Sequence, residues 1–118
     1  MKKENILRLF KSIDDSDVKT FLDYLDEDAN FKFANLPVVK GKKNISEFLD
    51  GFFKSIKSLQ HKNLEIYELD GIRFVNGNVT YTRHNGTTLS VDYSNTFKLK
   101  GDKIFDYLIF VDNSELYK

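Results

Sequence analysis

Arg83 and His84 stand together in the stretch FVNGNVTYTRHNGTTLSV, Phe74 to Val91, between two Asn-Gly pairs. A guanidinium can hold a carboxylate in a two-pronged grip, and an imidazole exchanges protons near neutrality. The second histidine, His61, lies in Gln60-His61-Lys62, and the pair has no metal-ligand spacing. Lys40-Gly41-Lys42-Lys43 precedes a helix start, where phosphate is attracted, but such a lysine loop is equally a solvated surface. Asp23, Asp26, Glu27 and Asp28 read as the wet face of a helix opposite an apolar stripe. No Gly-rich phosphate loop and no nucleophile elbow is present.

The frame that must position these groups is small. One domain of 118 residues is long enough to bury a core without staples. With no cysteine, neither disulfides nor thiolate metal sites are available. Lys plus Arg balance Asp plus Glu at 18 each, so no field favours nucleic acid or an anionic membrane. No apolar run is long enough to span a bilayer, and a cytoplasmic location is expected. Eleven Phe and six Tyr without a Trp foretell a core of flat rings, with hydroxyls that need partners where buried.

Ile6, Phe10 and Ile13 have helical spacing, as do Val18, Phe21, Leu22 and Leu25, with Asp14-Asp15-Ser16-Asp17 as break and N-cap between them. Asn44 with Glu47 resembles a capping box, and the stripe Ile45, Phe48, Leu49, Phe52, Phe53, Ile56, Leu59 predicts a helix from Asn44 to Leu59. His61 then follows as a residue favoured by the helix C-terminal dipole. Beyond it the period becomes two. Strands are predicted at Leu64–Val75, with a bulge at Asp70-Gly71, then Val79–Arg83, Leu89–Leu99 and Ile104–Val111. Asn76-Gly77, His84-Asn85-Gly86 and Gly101-Asp102 supply the turns, and Asn30–Ala34 is a short apolar segment before the long helix. Helices followed by antiparallel strands make an α+β domain.

In the Leu89–Leu99 strand the odd positions Val91, Tyr93, Asn95, Phe97 and Leu99 face the core, and Asn95 is the polar member of that set. In the last strand Phe105, Tyr107, Ile109 and Val111 fall on one face and Ile104, Leu108 and Phe110 on the other. A strand apolar on both faces needs two covers, and a second copy of the chain, seated on Leu108 and Phe110, can be one of them.

A three-residue turn, His84-Asn85-Gly86, pairs Arg83 with Thr87, Tyr81 with Leu89 and Val79 with Val91, keeping like with like. His84 is then an exposed turn residue, and Arg83 shares the inner face with Tyr81. Two readings of Arg83 stay open. A turn at Asn76-Gly77 would set Asp70 opposite it as an ion-pair partner. Otherwise its guanidinium is a ligand anchor at a cavity mouth.

Taken together, Asp17-Val18, Asp28-Ala29-Asn30-Phe31, Gly41 before Asn44-Ile45, Asp70-Gly71, and Phe97 to Ile104 running on to Phe110-Val111-Asp112 resemble the nuclear transport factor 2-like superfamily, in its SnoaL-like and ketosteroid-isomerase-like branch. The likeness covers nearly the whole chain. It implies a cone-shaped half-barrel, a curved antiparallel sheet wrapped around the long helix (the cystatin-like, NTF2-like fold), with an apolar pocket at one end and dimers through the sheet's outer face. In the steroid isomerases the tyrosine donor would fall near Leu9, the general base near Phe33 and the second oxyanion donor near Asn95. In the epoxide hydrolases of this fold an Arg-x-Asp motif would fall on Arg83-His84-Asn85 and a second Asp near Ile109. Two of the three isomerase groups and both hydrolase carboxylates are therefore missing.

The sequence thus points first to a cofactor-free binding domain for a small apolar ligand. Phe33, Phe52, Tyr81, Arg83, Tyr93, Asn95, Phe97, Tyr107 and Val111 are its candidate ligand contacts, with Phe10, Phe21 and Ile56 adding wall, and Asn95 and the tyrosine hydroxyls orient the ligand. The alternatives are an isomerase, polyketide cyclase or epoxide hydrolase with its own constellation, or an assembly domain whose cone is filled by its own side chains. The catalytic reading requires a carboxylate or histidine at the cavity, and no residue is nominated.

Overall fold

A computed structural model describes residues 1–118. Helix α1 (Lys3–Asp14) and the short α2 (Val18–Leu22) come first, then β1 (Leu25–Phe33), β2 (Val39–Lys40), α3 (Lys42–Ser55) and four long strands. These are β3 (Ser58–Leu69), β4 (Ile72–Thr82), β5 (Thr88–Lys100) and β6 (Lys103–Val111). One sheet holds all six strands in the order β2-β1-β6-β5-β4-β3. Neighbours are antiparallel except β1 and β6, which run parallel.

Several boundaries move, each for a physical reason. The acid run is not on a helix: α2 ends at Leu22, and Leu25, Ala29, Phe31 and Phe33 turn inward from β1. α3 begins at Lys42 behind Gly41 (φ 83°), and Asn44 donates to Lys40 O at 2.9 Å instead of capping. The helix stops at Ser55 because Ile56 is already extended (φ −130°, ψ 163°). Ile56 and Leu59 are inward residues that happen to continue the helical spacing. His61 is consequently a β3 residue and not a helix terminus.

The two turn dipeptides exchange roles. Asp70-Gly71 closes the β3–β4 hairpin with Asp70 at φ 49°, whereas Asn76-Gly77 lies inside β4. Asp70 is therefore not opposite Arg83; its carbonyl accepts from Arg73. Gly77 is required for a different reason than a turn. It pairs with Tyr93, and a Cβ there would come within 2.8 Å of both the Tyr93 hydroxyl and Lys62 O. The β4–β5 hairpin keeps the expected register, with Arg83 N donating to Thr87 O at 2.8 Å and Gly86 at φ 87°. A register shift between Lys98 and Leu99 of β5, which pair with Asp106 and Ile104 of β6, accompanies the turning of Ile104 inward, fully buried, against the simple alternation.

The concave face is covered by two helices rather than one. Phe10 of α1 stacks on Tyr93 and Phe97 (centroids 5.9 and 6.2 Å), while α3 sends Phe48 and Phe52 to Phe33 and Tyr81. The Asn44–Leu59 helix expected over Tyr93 and Phe97 is thus replaced there by α1. Between the two helices the rings of Phe31, Phe21, Phe97 and Tyr107 pack edge to face and tilted.

Because backbone as well as side chain blocks a Cβ at residue 77, Gly77→Ala should destabilise the fold by about 1–3 kcal/mol. Urea unfolding checks this, and an unchanged midpoint would show that Tyr93 does not lie across Gly77.

Candidate functional site

Where the ends of α1 and α3 fail to meet over the sheet, a cavity of about 40 Å³ opens. It holds a few waters and is well short of the several hundred Å³ of a drug-sized pocket. Its wall is almost wholly apolar, built from Ile13, Phe21, Phe31, Phe33, Leu49, Phe52, Phe53, Leu59, Val79, Tyr81, Ile109 and Val111, with His61, Tyr93, Asn95 and Tyr107 set into it. Of the residues proposed from sequence, Phe33, Phe52, Tyr81, Tyr93, Asn95, Tyr107 and Val111 are brought together here. Phe97 is not: fully buried, it stands behind the wall and packs on Tyr107 at 4.5 Å. Phe10 and Ile56 also lie behind the lining. Arg83 is outside it too. Its guanidinium donates to the carbonyls of Leu116, Glu115 and Thr88 and to Thr87 Oγ1, so neither the Asp70 pair nor an inward anchor forms. His84 sits in the turn, as expected, and its Nε2 meets Lys54 O at 2.8 Å.

Three of the four polar members of the wall carry an unpaired buried atom. Tyr93, Asn95 and Tyr107 are 5, 2 and 0 % exposed, yet the Tyr93 and Tyr107 hydroxyls and Asn95 Oδ1 make no hydrogen bond to the protein. Registers of Tyr93 with Val111, Asn95 with Ile109 and Phe97 with Tyr107 put all three on the concave face. Burial pushes the Tyr107 hydroxyl well above its ordinary pKa, with a further push from Tyr93. Burial raises Tyr93 as well, aided by the charge of Asp14. Tyr81 is pushed up to about 12 by burial and by neighbouring Tyr117. All three are firm donors at neutral pH.

The residue the sequence did not nominate is His61. Its parity with Leu59 turns it inward, opposite Val79, where its ring meets Phe10 and Tyr93 edge-on (4.9 and 5.2 Å). Asp14, the last residue of α1, accepts from the His61 backbone N–H and lies 2.6 Å from His61 Nδ1. A carboxylate at that distance fixes the proton on Nδ1, leaving Nε2, which has no protein partner, as the basic nitrogen. The alternation of Leu59 and His61 carries the signal once β3 starts at Ser58. Among all residues, no cluster of three or more His, Cys, Asp or Glu is placed to hold a metal.

A cone of bent sheet closed by helices, with an apolar interior carrying isolated polar groups, is the architecture of the NTF2-like superfamily. The sequence profile of the SnoaL-like domain matches residues 6–107, and the chain belongs to that family. Three solved structures share the fold at low identity. A candidate polyketide cyclase from Xanthomonas campestris pv. campestris is 16 % identical over 94 % of this chain and 90 % of its own, with a TM-score of 0.87. TerC, co-crystallised with polyporic acid, is 19 % identical over 97 % and 93 %, with a TM-score of 0.84. An NTF2-like protein of unknown function from Burkholderia pseudomallei is 13 % identical over 96 % and 92 %, with a TM-score of 0.87. No curated protein matches the sequence significantly. No helix is long and apolar enough to cross a membrane.

A hydroxyl without a protein partner contributes little to folding, so Tyr107→Phe should cost less than about 0.5 kcal/mol or stabilise. Alkali supplies a second readout. An unfolded tyrosine ionises near its ordinary value of 10 while folded Tyr81 holds its proton to about 12, so stability should fall as pH rises through that window. Tyr107→Phe should shrink the fall. Urea titrations at pH 7 and 10.5 decide both, and a large loss at pH 7 would reveal a partner for Tyr107.

Proposed function

We propose that this SnoaL-like domain binds a small, flat, mainly apolar molecule bearing a carbonyl or hydroxyl oxygen, and that His61, held by Asp14, moves a proton on it. The observation that carries the reading is the trio of unpaired polar atoms, Tyr93 Oη, Asn95 Oδ1 and Tyr107 Oη, in an otherwise apolar wall. Two donors and an acceptor there match a ligand oxygen and its neighbouring hydroxyl, and buried polar atoms discriminate sharply against ligands that leave them unpaired. His61 supplies what the catalytic alternative required, a basic nitrogen on the cavity wall oriented by a carboxylate. The cavity is smaller than such a ligand, so binding displaces rings, and Phe52 and Phe53, half-buried at the end of α3, are placed to swing aside. TerC's complex with polyporic acid and the cyclase candidate from Xanthomonas support the reading at the level of fold. We assign the protein to the cytoplasm on composition alone.

Titration with polyporic acid, 2-naphthol and acetophenone, followed by NMR, should shift Tyr93, Asn95, Tyr107 and His61. Tyr93→Phe combined with Asn95→Ala should weaken the best of these about tenfold or more. For a bound ketone, deuterium exchange at the carbon beside the carbonyl should run above the buffer rate and drop about 100-fold in His61→Gln. Shifts confined to the outer surface would refute the binding site, and exchange no faster than buffer would refute the proton transfer.

We further propose that the outer face of the sheet pairs with a second copy of the chain. Tyr67, Phe74, Thr96 and Leu108 stand in register across β3, β4, β5 and β6, and Phe110, beside Ser94 in the next row, is 56 % exposed. Such a row supports a symmetric interface. Analytical ultracentrifugation should give a dimer that Leu108→Asp or Phe110→Asp converts to monomer; a monomeric natural chain would disprove the interface.

A further inference from the structure

We propose that residues 112–118 form a latch over the wide end of the cone, pinned by Arg83 and plugged by Leu116, which must open before anything reaches the cavity. After Val111 the chain leaves the sheet, and its backbone hydrogen bonds are internal: Leu116 N to Asn113 O at 2.9 Å and Lys118 N to Glu115 O at 3.3 Å. Side chains alone attach the segment to the rest of the protein. Arg83 Nε donates to Leu116 O at 2.8 Å and Nη2 to Glu115 O at 3.0 Å, while Nη1 holds the β4–β5 hairpin through Thr88 O and Thr87 Oγ1, each at 3.2 Å. On the far side the Tyr117 hydroxyl meets Ser55 Oγ at 2.7 Å, in the last turn of α3. The segment therefore spans from the end of α3 to the β4–β5 hairpin.

Leu116 is its plug, 1 % exposed and part of the central core, although Tyr117 beside it is 66 % exposed. Beside the segment are Tyr81, which feels the neighbouring Tyr117, and the cavity residues Phe52, in a shared cleft with Asn113, Ser114 and Tyr117, and Val111, after which the segment begins. The Asp112 carboxylate accepts from Ser114 N and Oγ at 3.1 and 2.7 Å, forming a bend directly after β6. No carboxylate lies within ion-pair distance of Arg83, so its grip is that of a charge on neutral carbonyls. A unit held by one buried leucine and a few side-chain bonds opens separately from a six-stranded sheet. The latch rests on the cavity and not on the identity of the ligand.

The chain contains no cysteine, so Val79→Cys places a single thiol on the cavity wall at a residue 2 % exposed. Its labelling by methyl methanethiosulfonate, a small neutral reagent, measures entry without any ligand. Adding Arg83→Gln or Leu116→Ala should speed labelling about tenfold or more beyond what each variant's loss of urea stability accounts for. Labelling that follows global stability alone would overturn the latch. Should Val79→Cys misfold, amide exchange in the otherwise natural chain decides. Leu116 should exchange about 100-fold faster than Phe97, and about tenfold faster again in Arg83→Gln. A Leu116 amide as slow as that of Phe97, or indifferent to Arg83→Gln, would reject the proposal. A cone that binds no test ligand leaves this result intact, so the two readings fail separately.

Discussion

Two short helices must cover one strongly bent sheet, and they cannot meet. α1 reaches the sheet through Phe10 and α3 through Phe48 and Phe52, so aromatic rings carry the contact from both sides. Rings fill area well and corners badly, and the gap between the two sets is the cavity. The buried hydroxyls of Tyr93 and Tyr107 stand at that gap without protein partners, each a cost of order 1–3 kcal/mol if left dry. Phenylalanine would fill the same space more cheaply. The hydroxyls therefore make better sense as part of a site than as part of the core.

Asp14 supports the same conclusion from the helix side. A carboxylate in the last turn of a helix faces the negative end of the dipole and gains nothing there. Asp15 next to it is compensated by Lys11 at 3.0 Å, whereas Asp14 has His61. The Asp14–His61 contact joins α1 to the first residues of β3, so one bond both fixes the helix across the sheet and sets the imidazole's tautomer. Structural and chemical roles are here the same interaction, which is why a histidine of ordinary appearance in the sequence acquires a defined orientation in the fold.

Much of the fold was legible because it rests on strong periodicities. The parity of Tyr93, Asn95 and Phe97, the hairpin at His84-Asn85-Gly86 and the N-cap at Asp17 all follow from local chemistry, and each is found. Local chemistry failed where two sites offered the same signal. Asp70-Gly71 and Asn76-Gly77 are equally good turns, and only the ring of Tyr93 over Gly77 decides between them. The end of α3 is ambiguous in the sequence because Ile56 and Leu59 satisfy a helical and an alternating pattern at once, and the helical pattern leaves His61 outside the site. The role of Arg83 depends on a contact with residues 115 and 116, some thirty positions away, for which no spacing rule exists.

The same outline can hold different chemistry because the cone constrains shape while leaving the position of its polar atoms free. Phe33 and Ile109 are apolar wall and Leu9 is fully buried, so none of these three positions, where the resemblance in the sequence would place catalytic groups, carries one. The chain's own polar atoms are a tyrosine on each of β5 and β6, the Asn95 amide on β5, and an imidazole entering from β3. On the proposed reading, a proton-moving group on β3 sets which side of a bound molecule is addressed, whereas the apolar walls favour a flat, small one. In that reading the arrangement of these few atoms, more than the cone itself, sets what the domain selects.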